Sequence, residues 1–243
     1  MSTLTSCIFM LKTGASLGLV SKYLYGKFCH FPPSKYLQVR DTYKAQMSEK
    51  EFSNDWFTPN IPNWLCTFEE YRLAERDRID ALEIGSFEGC SSAFIAEQFK
   101  TVNLTCVDTW VGSDENQGTD YVDTIEQKFD NNVREFSGKI VKFKGTSFSF
   151  FQTCNKRNIY DFIYVDGSHR VDDVIIDAVK SFDLLKIGGV MIFDDYLWKY
   201  YPKASDNPCA AINAFLKFKK GDYKIAYVGY QLHLVKTKDR QTD

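Results

Sequence analysis

Ala81-Leu82-Glu83-Ile84-Gly85-Ser86-Phe87-Glu88-Gly89 is the stretch on which the fold turns. A short apolar run ends in a glycine, a second glycine follows four positions later, and Ser91–Phe99 then reads as a helix. Strand, tight turn and helix in that order make one βα unit. The texture repeats downstream. Leu104–Val107 is a second strand ending at Asp108, and Thr124–Phe136 a helix before a third strand, Ile140–Phe143. Asp161–Val165 is a fourth strand ending at Asp166, and Val171–Leu185 a helix that Gly188-Gly189 should terminate. Val190–Phe193 is a fifth, ending at Asp194. Several of these runs are almost wholly apolar, as strands covered on both faces are, which argues for a parallel sheet between helices. After a helix at Cys209–Phe218, Tyr223–Val228 and Gln231–Lys236 flank Gly229-Tyr230 as a closing hairpin. Units of βα closed by a hairpin disfavour the all-parallel dinucleotide-binding fold.

Outward from that core, residues 1–54 form an N-terminal extension of irregular or helical character, and residues 55–243 the α/β domain. The extension serves as a lid or a dimer contact in two readings that stay open, so a homo-oligomer does too. The 243 residues carry a formal net charge of −2 and no Lys/Arg stripe, which speaks against nucleic acid as a partner. No basic segment precedes an apolar run, and no run is long enough to span a bilayer, so neither a targeting signal nor a membrane partner is expected. Seven cysteines without CxxC spacing suggest reduced thiols and a cytoplasmic setting.

The chemistry begins at the same turn. Glycines after a first strand let a ligand approach the backbone. The spacing is GxxxG, not the GxGxxG that cradles a pyrophosphate. Glu83 and Glu88 would repel a pyrophosphate and suit a cationic ligand. Asp108 closes the second strand, where a carboxylate can accept from two ribose hydroxyls, and Trp110 can wall an adenosine. Gly145-Thr146-Ser147 offers either polar contacts to an adenine edge or an ordinary helix cap.

ALEIGSFEG, VDTW, FIYVDGSH and GGVMIFDDY, in this order between Asp55 and Lys236, resemble the class I S-adenosylmethionine-dependent methyltransferases. More narrowly they are similar to metal-dependent small-molecule and sugar O-methyltransferases of the antibiotic-tailoring type. The resemblance implies a Rossmann-like, mostly parallel seven-stranded sheet of order 3-2-1-4-5-7-6, with a C-terminal antiparallel hairpin and helices on both faces. It implies that Glu83, Gly85, Ser86 and Gly89 hold the methionine end of the cofactor and Asp108 its ribose, with Thr146, Ser147 and Asp166 also lining that site.

Asp166 closes the fourth strand and Asp194-Asp195 the fifth. If those strands are neighbours, three carboxylates crowd one edge and need a cation between them, Mg²⁺ being the natural choice. Strand alternation would point Asp194 and Asp195 apart unless the chain leaves the pleat at Asp195. Solvated strand-end acids are the alternative. His169, on the loop three residues after Asp166, can accept the substrate hydroxyl's proton, or else position the substrate or hold an outer hydrogen bond; the related enzymes' carboxylate two residues beyond the first metal aspartate is here Ser168, so their base is not copied directly. The expected reaction is metal-assisted methylation of a small molecule or sugar with vicinal hydroxyls. A nicotinamide-dependent oxidoreductase and a non-catalytic cofactor-binding module are its rivals.

Overall fold

A computed structural model of the chain describes residues 1–112 and 122–239. Nine α-helices and seven strands occur among them, in the order α1 (Thr3–Lys12), α2 (Leu17–Phe28), α3 (Ser34–Met47), α4 (Ile61–Glu70), β1 (Ile79–Ile84), α5 (Cys90–Gln98), β2 (Val102–Asp108), α6 (Ile125–Asn132), β3 (Ile140–Lys144), α7 (Ser147–Thr153), β4 (Tyr160–Val165), α8 (Val171–Leu184), β5 (Leu185–Phe193), α9 (Pro208–Phe218), β6 (Tyr223–Val228) and β7 (Leu232–Lys236). The strands form one sheet of order β3-β2-β1-β4-β5-β7-β6. β1 pairs with β2, and β2 with β3, in parallel, whereas β7 runs antiparallel to both β5 and β6. This is the Rossmann-like α/β arrangement that the βα texture and the closing hairpin predict.

The chain divides into two compact units. One contains Pro32–Asn155 with Tyr160–Phe162, the other Met1–Phe31, Lys156–Ile159 and Ile163–Asp243. In the first, β1 buries five of its six residues, as a strand covered on both faces must. Its core is aromatic. Trp64 of α4 is fully buried and meets Phe57, Phe94 and Phe162 at ring-centroid distances of 4.9, 6.2 and 5.3 Å, mostly edge-on. Edge-to-face pairs each add about 0.5–1.5 kcal/mol beyond their buried area, so part of the phenylalanine surplus in the composition is core. In the second unit Phe215 of α9 packs edge-on against Phe182 of α8 and Phe193 of β5.

One reading of the sequence is narrowed and two are corrected. Residues 1–54 hold three regular helices, two of them capped by serines: Ser2 accepts from the Thr5 N–H and Ser16 from that of Leu19. Thr124–Phe136 is not one helix, because α6 ends at Asn132 and only a single tight turn follows at Arg134–Phe136. Gly188-Gly189 does not end α8. The helix stops at Leu184, Leu185 is already extended, and both glycines lie inside β5, where Gly188 adopts a φ of +76° and bends the strand.

Candidate active site

The glycine turn and the end of β2 are joined through one carboxylate. Gly85 has a φ of +84° and Phe87 one of +46°, so the chain doubles back after β1 and aims its amides at Asp108. Asp108 Oδ2 accepts from the Ser86 and Phe87 N–H groups at 2.8 Å each, and Oδ1 from the Trp110 N–H at 2.7 Å. An ionised carboxylate offers about four acceptor sites. Three are occupied, and the remaining capacity suits a ligand hydroxyl. Trp110, with a φ of +54°, donates its indole N–H to the Phe87 carbonyl at 2.9 Å and is buried against Phe129. It therefore braces the turn. Trp56 lies 5.4 Å from the Phe87 ring and is largely exposed.

Gly89 begins α5 with a φ of +85°, and a Cβ there would come within 2.9 Å of Val133 and 3.0 Å of Phe129. Only glycine fits. The two acids beside it have internal duties, which corrects the electrostatic argument made from them. Glu83 is fully buried and accepts from the Ser91 and Ser92 hydroxyls at the start of α5, while burial raises its pKa. Glu88 accepts from the Ser53 amide at 2.6 Å and pairs with Lys128 at 3.0 Å. Their placement makes both structural anchors of the turn. Thr146 caps α7, its hydroxyl accepting from the Ser149 N–H at 3.1 Å, and Ser147 is the first helical residue.

In the other unit the end of β4 and the end of β5 bring acids together. The Asp194 N–H donates to the Val165 carbonyl at 2.9 Å, which aligns the two strand ends. Asp195 has a φ of +56°. The chain leaves the pleat there, as joint use of Asp194 and Asp195 requires. The consequence is a division of labour between them. Asp166, His169 and Asp195 each present a donor atom within 4.8 Å of the others. Asp194 stands beside this trio but accepts from the Tyr164 hydroxyl, from Gln231 Nε2 at 2.9 Å and from the Asp195 N–H at 2.7 Å. His169 Nε2 lies 2.6 Å from Asp195 Oδ2, and the Tyr230 hydroxyl donates to Asp195 Oδ1 at 2.7 Å.

Burial, then repulsion from Asp194 and Asp195, pushes the Asp166 carboxyl well above the usual carboxylate range. Burial, then Asp195, raises Asp194 to about 7. Acids held this close are relieved by a proton or by a metal cation. Two carboxylates and an imidazole, with room for outer oxygens, are a donor set that suits Mg²⁺ or Mn²⁺. Around this trio stands an aromatic shelf, in which His169 contacts Trp198 at 4.4 Å and Trp198 stacks on Tyr200 at 5.4 Å. Tyr164 was legible from strand period, two residues before Asp166 and on its face. Tyr230 and Gln231 were not, because only antiparallel β5–β7 pairing brings the hairpin turn to Asp194.

Comparison with known proteins supports the same architecture. Residues 82–196 match the family model of a methyltransferase domain. An uncharacterized protein of Acanthamoeba polyphaga mimivirus is 27% identical over 161 residues, which is 64% of this chain and 69% of that one. Among solved structures, the O-methyltransferase TomG from Streptomyces achromogenes, in complex with SAM, superposes with a TM-score of 0.54 at 14% identity, covering 90% of this chain and 96% of that one. The O-methyltransferase from Bacillus cereus, in complex with SAH, gives 0.53 at 14% identity, covering 89% and 97%. The MycE methyltransferase of mycinamycin biosynthesis, in complex with Mg, SAH and mycinamycin VI, gives 0.56 at 14% identity, covering 85% of this chain and 55% of that one. At such identities these superpositions establish the fold, and the matched segment contains the glycine turn, Asp108, Asp166, His169, Asp194 and Asp195. Residues 82–196 thus match a methyltransferase domain, on a fold shared with these O-methyltransferases.

Proposed function

We propose that the chain transfers a methyl group from S-adenosylmethionine to a hydroxyl oxygen of a small molecule, a sugar or other vicinal diol being the class that the donor set suits. The observation that carries this reading is the convergence of Asp166, His169 and Asp195 on one point, in a chain whose glycine turn is pinned to Asp108. Residues 55–243 would form the catalytic domain, and the seven unpaired cysteines favour a reducing, cytoplasmic setting.

Asp108 would take the cofactor's ribose hydroxyls, and the Gly85–Gly89 turn with Ser86 would face its methionine end. Thr146, Ser147 and Asp166 remain candidates for the periphery of that site. Asp166, Asp195 and His169 would hold a divalent cation, with Asp194 tuning them through Tyr164 and the shared backbone. Bound cofactor supplies an electrophilic methyl group on a sulfonium, and a bound cation lowers the pKa of a coordinated hydroxyl. The acceptor oxygen would take that methyl as the carbon–sulfur bond broke, the electron pair staying on sulfur to leave S-adenosylhomocysteine, and the hydroxyl proton would pass to a base.

A second reading assigns that base. The 2.6 Å contact from Asp195 orients His169 as a carboxylate orients a catalytic imidazole, so His169 takes the proton in a metal-independent reaction. Calorimetry with S-adenosylhomocysteine, with and without Mg²⁺, followed by transfer of labelled methyl to diol acceptors, tests both. Binding of S-adenosylhomocysteine that falls at least about tenfold in Asp108→Ala is expected, since a charge-assisted hydrogen bond contributes about 1.5–3 kcal/mol. Protection from unfolding by NAD(H) but not by S-adenosylhomocysteine would overturn the proposal in favour of an oxidoreductase. Cofactor binding without transfer to any acceptor would leave a binding module.

A further inference from the structure

The first two helices are apolar on both sides, and the described residues cover only one. In α1, Phe9 and Met10 point inward and are buried, while Leu4, Ile8 and Leu11, spaced i, i+4, i+7, face solvent at 71%, 45% and 45% exposure. In α2, Leu19, Val20 and Tyr23 are buried, while Leu17, Leu24 and Phe28 face outward on a second stripe, Leu17 at 77%. The hairpin is firmly seated, so this face is not a core element out of place. Thr13 Oγ1 lies 3.1 Å from Cys209 Sγ, and Asn213 Nδ2 donates to Thr13 Oγ1 at 3.1 Å. At Gly26, α2 comes so close to β6 that a Cβ would stand 2.7 Å from the Val228 carbonyl oxygen. Exposed apolar stripes on two successive helices mark an interaction site.

The hairpin's own charge is of one sign. Residues 1–31 contain Lys12, Lys22 and Lys27 and no acidic side chain, on a chain whose net charge is −2. Lys217 of α9 adds a fourth cation beside the hairpin's own three, its Nζ 2.9 Å from where a Cβ of Gly14 would lie, in the turn between α1 and α2. A second copy docking through the same face would set these lysines against themselves, because a two-fold interface apposes identical patches. An anionic, oily boundary answers both features at once. We propose that α1 and α2 form a docking face for an anionic phospholipid surface, with the outward apolar side chains among the acyl-chain ends and the lysines at the phosphates. No described helix is long and apolar enough to cross a membrane, and the hairpin lies on the surface instead. The expectation of no membrane partner rests on the want of a spanning segment, and a surface-lying hairpin needs none.

The test is cosedimentation of the full chain with vesicles of phosphatidylcholine containing about a third phosphatidylserine, against phosphatidylcholine alone. Binding to the anionic vesicles, weakened by salt, is expected. Each lysine near such a surface contributes about fivefold, so replacing Lys12, Lys22 and Lys27 with Gln should weaken partitioning about a hundredfold. Leu4→Asp with Leu17→Asp should abolish it while leaving the melting temperature unchanged, because both side chains are exposed. Failure to bind anionic vesicles at low salt overturns the proposal, as does equal binding to both vesicle types. A dimer in solution that Leu4→Asp dissolves, with no vesicle binding, would assign the face to a second copy. None of these outcomes depends on the methyl-transfer reading.

Discussion

Gly89→Ala perturbs the glycine turn at the point where the structure is least forgiving. Two costs can be separated there. The first is conformational: an L-residue at a φ of +85° costs roughly 1–2 kcal/mol, of which the stiffer unfolded chain returns about half a kcal/mol. The second is steric. The new methyl would stand 2.9 Å from Val133 and 3.0 Å from Phe129, both buried, and overpacking of this kind costs about 1–3 kcal/mol. Gly188→Ala isolates the first cost, because Gly188 has a φ of +76° and open space where its Cβ would go. Thermal unfolding should therefore fall by about 2–4 °C in Gly188→Ala and about 6–12 °C in Gly89→Ala, at about 2–4 °C per kcal/mol for a chain of this size. Phe129 packs at 4.9 Å against Trp110, whose indole holds the Phe87 carbonyl, so S-adenosylhomocysteine binding should weaken in Gly89→Ala and not in Gly188→Ala. Equal losses of stability in the two variants would refute the steric argument, and unchanged binding in Gly89→Ala would refute its link to the site.

Calorimetric titration with Mn²⁺ should show affinity falling at least about tenfold in Asp195→Asn, and less in Asp194→Asn, whose oxygens are committed to Tyr164, Gln231 and the backbone; equal losses would return Asp194 to the ligand set. His233 is fully buried, and burial lowers its pKa from 6.5 to about 3. Above pH 6.5 it is neutral both folded and unfolded and contributes no slope; as pH falls towards 3 the unfolded chain takes up a proton that the fold excludes. Stability should drop by about 1.4 kcal/mol per pH unit through that window, and His233→Gln should flatten the urea-midpoint profile between pH 6 and about pH 4; parallel profiles would exclude the histidine as the cause. Trp64→Ala should cost about 3–5 kcal/mol in denaturant unfolding, since Trp64 is wholly enclosed by Phe57, Phe68, Phe94 and Phe162; a loss below about 1 kcal/mol would mean that the core collapses around the gap.

What was legible in the sequence was mostly local. Apolar runs of strand length, each ending in glycine or aspartate, mark β1, β2, β4 and the end of β5, because a buried strand must be apolar on both faces, whereas the strand order came only from the resemblance to methyltransferases. The left-handed turn is legible in Gly85 and Gly89, since few other residues tolerate that backbone. Asp108 and Asp166 are legible as strand-end acids. Partners distant in the chain were decided only by tertiary structure. Glu83 and Glu88 look free to meet a cationic ligand until the fold brings Ser91, Ser92, Ser53 and Lys128 to them. Asp194 and Asp195 look alike until the hairpin places Gln231 on one and Tyr230 on the other, and the backbone at Asp195 turns left-handed towards His169. Sequence pattern records which faces are apolar and which bends need glycine, because those demands act residue by residue. The duty of a carboxylate depends on what stands within hydrogen-bond reach, and that is set by long-range pairing.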